Sequence, residues 1–192
     1  GAYLTVYNIM PRDILELIPP TDLATLCQER GIKSRGGFID NILAAYKDSE
    51  SMFVENYELI GKRDLNTLKT NGIIIKEAEL GVKFEEVTKY IFENIGFEVN
   101  EKLRKKINTE KDKIDILISI DDSSVLLVEC KTVKDNGYNK FSSISRQIRS
   151  YKTLLEKNNL NVAKILVVAP EFSDDFVSDC GDDFDLNISL IK

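Results

Sequence analysis

The sequence predicts an α/β fold, a mixed β-sheet flanked by helices and preceded by a small all-α N-terminal module. Three observations carry that expectation. From Leu80 onward the apolar pattern reads α-β-β-β-α-β, the order of an α/β domain with a mixed sheet. Before residue 76 the pattern is helical, with proline and glycine punctuation. With 192 residues and 43% apolar content, the chain can bury one good core and a smaller second one. The expected organisation is a helical module over 1–50, a helical connector over 51–75 and the α/β domain over 76–192.

In the N-terminal module, Pro19-Pro20 breaks the chain and Thr21 or Asp22 can cap a helix carrying Leu23, Leu26 and Cys27. Gly31 suits the left-handed position after that helix. Ser34 can cap a second helix with Phe38, Ile39, Ile42 and Leu43 on one side, its first turn weakened by Gly36-Gly37. A faint echo follows, since the run Asp22 to Leu26 with Gly31-Ile32 returns as Asp64 to Leu68 with Gly72-Ile73. Two such copies are too few to define a repeat.

In the α/β domain, Val82, Phe84, Val87, Tyr90, Ile91 and Ile95 form a helical face ending at Gly96. Phe97 to Val99 starts an extended piece, and a charged loop with Lys102, Arg104, Lys105 and Lys106 follows. Ile114 to Ile120 and Val125 to Thr132 are strand-like runs separated by Asp121 to Ser124. Residues 142–158 read as a helix with Ile144, Ile148, Tyr151, Leu154 and Leu155 inward. Val162 to Ala169 is a buried strand stopped by Pro170, and Leu186 to Ile191 is a last strand.

Composition removes several function classes. Charged residues make up 30% of the chain, and no apolar run approaches the roughly eighteen residues a membrane span needs, so no membrane association is expected. The first residues lack the order of a signal peptide, and Gly1 leaves room for a natural chain that extends in either direction. Cys27, Cys130 and Cys180 lie far apart, an odd count that points to a reducing, cytoplasmic compartment rather than a disulfide framework. The absence of histidine excludes Ser-His-Asp and Cys-His nucleophilic schemes and histidine metal sites. Chemistry must rest on carboxylates, lysines, hydroxyls or thiols, an inventory that suits a hard metal held by oxygen. The net charge of −6 is local, because Glu171, Asp174, Asp175, Asp179, Asp182, Asp183 and Asp185 fall where no cation occurs before Lys192. Setting these eight residues aside leaves 25 charges of each sign over residues 1–170, so acidity does not exclude a DNA partner. The acidic stretch itself reads as a solvated loop.

The two central strands place the chemistry. Ile114, Ile116, Ile118 and Ile120 share one face, leaving Asp115, Leu117 and Ser119 on the other. Leu126, Val128 and Cys130 share a face against Val125, Leu127, Glu129 and Lys131. If the apolar faces coincide, Asp115, Glu129 and Lys131 emerge together on the opposite one. That needs an odd-numbered hairpin loop, most simply Asp121 to Ser123, which sets Asp115 across from Glu129; an even loop separates the carboxylates. Charges set in apolar strands are costly unless compensated. Mg²⁺ (or Mn²⁺) on Asp115 and Glu129, beside the Cys130 backbone carbonyl, compensates the carboxylates, and phosphate compensates Lys131. Such a site can hydrolyse a phosphodiester, with Lys131 orienting or activating the attacking water. A structural Asp115–Lys131 or Glu129–Lys131 ion pair is the competing explanation.

These residues resemble the PD-(D/E)XK nuclease superfamily, the restriction endonuclease-like fold of resolvases and many repair nucleases, over about residues 78–170. Gly81-x-x-Phe84-Glu85 is similar to the first-helix motif, Lys113-Ile114-Asp115 to the metal-binding aspartate, and Glu129-Cys130-Lys131 to the E-x-K element. Gln147-x-x-x-Tyr151 resembles a motif of Mrr-like and Holliday-resolvase-like members. There is no proline before Asp115, and Glu86 follows Glu85, so the glutamate that faces the site is left open. The resemblance implies a catalytic set of Asp115, Glu129, Lys131, Glu85 and Gln147, with Glu85 joining Asp115 and Glu129 toward metal, and commonly a homodimer. Residues 20–46 resemble a SAP module, a small DNA-binding unit, in Leu23-x-x-Leu26-Cys27-x-x-x-Gly31-Ile32 with Gly36, Ile42 and Leu43. Phe38 stands where that family usually has lysine.

For DNA contact the cations are Lys102, Arg104, Lys105 and Lys106 in one loop and Arg146, Arg149 and Lys152 on the Gln147 helix. They would neutralise phosphates without reading sequence; a solvated charged face explains them equally. The expectation is a Mg²⁺-dependent DNA endonuclease. The alternatives are a nuclease-like fold serving as a DNA-binding or assembly subunit without turnover, and a structural α/β domain with ion-paired strands.

Overall fold

The computed structural model describes residues 11–134 and 136–192. The chain divides into two compact units, Gly1–Phe53 and Val54–Lys192. The first ten residues of the expected 1–50 module therefore lie outside the described residues.

In the first unit, α1 (Pro11–Leu15), α2 (Pro20–Glu29) and α3 (Phe38–Glu55) follow one another. Leu23, Cys27 and Ile42 are buried together, with Leu15, Ile18, Leu26, Ile32, Phe38 and Ile39 packed against them. Two helix starts differ from expectation. Pro19 flanks α2 and Pro20 opens it, so Thr21 and Asp22 sit inside the first turn rather than capping it. The next helix begins at Phe38, not after Ser34, because Gly36 and Gly37 have φ of 96° and 111°. The Asn41 amide donates to the carbonyls of Lys33 (2.6 Å) and Arg35 (3.0 Å), which holds that turn.

The second unit begins earlier than residue 76. Its first elements are α4 (Tyr57–Gly61) and α5 (Leu65–Thr70), and Ile60, Leu68 and Ile73 are buried. Residues 54–75 therefore fall in the second unit and contribute Ile60, Leu68 and Ile73 to its buried residues. Gly31 (φ 65°) ends α2 and Gly72 (φ 84°) ends α5. In each case the following isoleucine N–H donates five residues back, Ile32 to Cys27 (2.8 Å) and Ile73 to Leu68 (2.9 Å). The sequence echo is thus one C-capping motif used twice.

Next come α6 (Leu80–Asn94), β1 (Glu98–Val99), α7 (Glu101–Ile107), β2 (Ile116–Ser119) and β3 (Ser124–Cys130). They are followed by α8 (Phe141–Lys157), β4 (Asn161–Val168), α9 (Asp174–Asp182) and β5 (Ile188–Ile191). Among the described residues the five strands form one mixed sheet in the order β1-β2-β3-β4-β5. The first three are antiparallel neighbours, while β4 and β5 run parallel to β3 through the α8 and α9 crossovers. Leu117, Val125, Leu127, Ile165 and Val167 pack with Ile144, Ile148, Tyr151 and Leu155 of α8 and with Phe176 and Cys180 of α9. Helix α6 packs on β3 and against α4.

Three expectations about this unit are corrected. The α6 residues buried are Leu80, Phe84, Val87, Thr88 and Phe92, while Val82, Tyr90 and Ile95 are exposed. The cationic loop is α7, because Asn100 accepts the Leu103 N–H at 2.9 Å and Leu103 and Ile107 supply an apolar stripe. The acidic stretch includes α9, capped by Ser173, whose hydroxyl accepts the Phe176 N–H at 3.2 Å. Asp174 and Asp175 sit in its first turn, where the helix dipole favours negative charge.

Gly61 is a tight joint of this unit. A Cβ there would stand 2.8 Å from the Phe84 ring and 3.0 Å from the Pro170 ring. Phe84 cannot give way, being buried and stacked on Tyr57 at 4.6 Å. Gly61→Ala therefore lowers stability: overpacking of about 1–3 kcal/mol exceeds the helix-propensity gain of roughly 0.5–1 kcal/mol. Thermal denaturation of the full chain measures the loss, and an unchanged or raised melting temperature contradicts it.

Candidate functional site

The hairpin between β2 and β3 sets the site. Ile116 pairs with Val128, Leu117 with Leu127, Ile118 with Leu126 and Ser119 with Val125. The Ile120 N–H donates to the Ser124 carbonyl at 2.9 Å, leaving Asp121, Asp122 and Ser123 as a three-residue turn. The Asp121 carboxylate accepts the N–H groups of Ser123 (2.8 Å) and Ser124 (2.7 Å), which also hold its pKa below the ordinary value. The turn is odd-numbered, so the register extended by one pair puts Asp115 across from Glu129. The Cys130 N–H donates to Asp115 Oδ2 at 2.8 Å, which ties the aspartate to the end of β3.

Lys131 follows directly, and its N–H donates to the Val168 carbonyl of β4 at 2.8 Å. Its ammonium pairs with Glu129 Oε1. Glu129 is wholly buried, and its second oxygen, Oε2, has no hydrogen-bond partner. Burial raises the Glu129 pKa to about 8, reinforced by Asp115 and opposed by Lys131. Burial raises Asp115 too, against the Cys130 N–H, Lys131 and Arg104. Glu85 on α6 rises to about 7, chiefly from burial and then from Asp115. For Lys131, burial works against the charge, but Glu129 and Asp115 outweigh it and the pKa rises. These four groups form one electrostatic unit in an apolar setting.

A buried carboxylate oxygen without a donor is costly. A divalent cation held by Asp115 and Glu129 would satisfy it and offset both charges, and these hard oxygen donors fit Mg²⁺ or Mn²⁺. Among the described residues, no three His, Cys, Asp or Glu side chains are grouped to hold a metal ion. Glu85 stands close enough to the pair to feel the Asp115 charge. The Cys130 backbone lies at the same strand end through its bond to Asp115.

Neighbouring elements hold the frame. The Gln147 amide donates to the Tyr151 hydroxyl (2.6 Å), which donates to the Lys113 carbonyl (2.6 Å), two residues before Asp115. Arg104 donates to the Ile114 carbonyl at 3.1 Å and grips Glu101 through two nitrogens at 2.9 and 3.0 Å. Expected as a DNA contact, Arg104 is committed to the backbone leading into Asp115. Arg149 is committed too, to Asp183 at 2.6 Å and Asp185 at 3.9 Å. Lys102, Lys105, Lys106 and Arg146 are exposed, and Lys152 is half-buried.

Sequence reasoning missed Arg104's structural role, because helix α7 was hidden by its charge. It also missed Tyr138, whose pKa rises from burial while Lys131 and Glu129 act on it electrostatically. Tyr138 is placed by the loop after β3: its N–H donates to the Glu171 carbonyl (2.8 Å), and its carbonyl accepts the Ser173 N–H (3.1 Å). Gly137 (φ 71°) permits this seam, since a Cβ there would lie 2.6 Å from the Phe172 carbonyl carbon. No spacing in the sequence signals this meeting of two loops.

The raised carboxyls give the metal-free protein a signed pH dependence. Folded Glu85 and Glu129 hold protons to about 7 and about 8, whereas an unfolded glutamate loses its proton near 4.5. Their contribution is present below the unfolded value and is lost as pH rises through the folded values. Glu129→Gln should thus raise the melting temperature in chelator at about pH 8.5 by at least about 2–4 °C, the equivalent of roughly 1 kcal/mol. At about pH 5 it should change little. Equal destabilisation at both pH values contradicts the assignment.

No protein-family model matches the chain, and neither a curated protein nor a solved structure matches it.

Proposed function

We propose that the second unit is a Mg²⁺- or Mn²⁺-dependent nuclease domain of the restriction endonuclease-like kind, hydrolysing DNA phosphodiester bonds. The observation that carries this reading is the orphaned Glu129 oxygen, set across from Asp115 and beside Lys131 on the same strand face. The order α6, β1, β2, β3, α8, β4, with α7 inserted, supports the same reading.

When bound, the cation would supply Lewis-acid polarisation of the phosphodiester and neutralise the two carboxylates. Asp115 and Glu129 would hold it. Lys131, kept charged by both carboxylates and aimed by Glu129 Oε1, orients a water and stabilises negative charge on the phosphoryl oxygens. Glu85, half-buried on α6 and within the influence of Asp115, adds a carboxylate at the edge of the site that can position a water. Gln147 and Tyr151 act as positioning residues by fixing the Lys113 carbonyl. The first unit, SAP-like in sequence, adds affinity for DNA, and two copies of the chain would cut both strands.

A second reading, a nuclease-like DNA-binding or assembly subunit without turnover, is favoured by one observation. The Lys131 ammonium already pairs with one oxygen of Glu129. Incubation of the full chain with plasmid and branched DNA, with Mg²⁺ or Mn²⁺, separates the two. Cleavage should appear with wild type and fall at least about 100-fold in Asp115→Ala and Lys131→Ala, with the folded circular dichroism spectrum retained. Undiminished cleavage by both variants ends the nuclease reading, and salt-sensitive binding without cleavage selects the second.

A further inference from the structure

One residue beyond Lys131 the chain enters a cleft of about 410 Å³ whose lining includes Arg63, Thr132, Lys134, Tyr138, Asn139 and Lys140. The cleft is lined by Arg63 in the bend after α4 and by residues 132–134 and 137–140 between β3 and α8. It gathers three cations, and none of its lining residues among those described is acidic, in a chain whose net charge is −6. Tyr138 links it to the catalytic face, since Tyr138 lines the cleft and also feels Lys131 and Glu129.

The cleft already engages one anionic oxygen. Glu77 Oε1 lies 2.6 Å from Lys134 Nζ and 3.7 Å from Arg63 Nη2. Arg63 also donates to Thr132 Oγ1 (3.0 Å) and to the Glu77 carbonyl (3.1 Å), so it is a fixed part of the wall. The Glu77–Lys134 pair is exposed on both sides, a kind of pair that exchanges partners at little cost. Lys140 is exposed and makes no ion pair among the described residues.

We propose that this cleft is the subsite for the nucleic-acid backbone flanking the scissile bond, with Lys134 and Lys140 neutralising phosphates and Glu77 releasing Lys134 when the strand enters. The assignment rests on the nuclease reading for the word "scissile", but the binding site stands on its own cations. Fixed Arg63 and the long-stemmed lysines divide the work, one shaping the wall and the others following the backbone.

The test is fluorescence anisotropy of the full chain with a labelled short DNA duplex, in chelator, over a salt series, with Mg²⁺-dependent cleavage measured in parallel. The double variant Lys134→Ala/Lys140→Ala should bind more weakly, and its log–log salt dependence should be shallower by about 1–2, near 0.9 for each phosphate no longer neutralised. Glu77→Gln should tighten binding, because it removes the internal competitor. Lys157→Ala, at the far end of α8, is the control for loss of a surface charge and should leave the salt slope unchanged. An unchanged slope in the double variant, or weaker binding by Glu77→Gln, overturns the subsite. Cleavage by wild type together with an unchanged slope removes the subsite and keeps the nuclease. Binding with the expected slope change but no cleavage keeps the cleft as a nucleic-acid site and removes the catalysis.

Discussion

The three-residue turn from Asp121 to Ser123 is the constraint on which the site depends. Side chains alternate along a strand, so the parity of that turn decides whether Asp115 and Glu129 share a face or oppose each other through the sheet. Hydrogen bonds from Ser123 and Ser124 to the Asp121 carboxylate fix its length. The sheet on both sides adapts to it. The Asn100 N–H donates to the Leu117 carbonyl at 2.8 Å, carrying the register toward β1. On the other side, β4 absorbs an irregularity between Val125 and Leu126, after which Leu127 pairs with Ile165 and Glu129 with Val167. That irregularity lets both ends of a parallel strand pair meet their partners without disturbing the charged end.

The charged end exists because apolar packing surrounds it. Leu117 and Leu127, one step inward from Asp115 and Glu129 on the same face, are wholly buried against α8. Burial removes water from the carboxylates, and the protein compensates only partly, through Lys131, the Cys130 N–H and Arg104. The deficit is concentrated on Glu129 Oε2. The Glu129–Lys131 pair is therefore only half satisfied, one carboxylate oxygen being paired and the other left without a donor.

Much of this was legible in the sequence, and the parts that were not have a common cause. The strand faces, the odd turn and the pairing of Asp115 with Glu129 follow from an alternation of period two, a short-range signal written in adjacent residues. Helix α8 was equally legible, since Ile144, Ile148, Tyr151 and Leu155 keep a helical spacing. Helices α7 and α9 were hidden because each carries few apolar residues among dense charge; their caps, Asn100 and Ser173, were the readable signs. The face of α6 was misassigned because Thr88 is buried through hydrogen bonds to Tyr57 and the Phe84 carbonyl, while the apolar Val82 and Ile95 are exposed. Tertiary partners of that kind leave no mark in local periodicity. The residues around Arg63 and Tyr138 meet through loops distant in sequence, which no single-sequence pattern encodes.

The seam at Gly137 separates shape from chemistry in this part of the molecule. Tyr138 bonds the Glu171–Ser173 backbone in both directions, and the space where a side chain at 137 would stand is filled by the Phe172 main chain. The wall beside Lys131 is therefore stitched by peptide groups, whose hydrogen bonding is the same for every residue type. Side chains at 134, 139 and 140 can be exchanged without unpicking it. Substitutions at those positions thus change the chemistry of the wall without moving it, whereas a single methyl group at 137 would collide with the Phe172 main chain and open the seam.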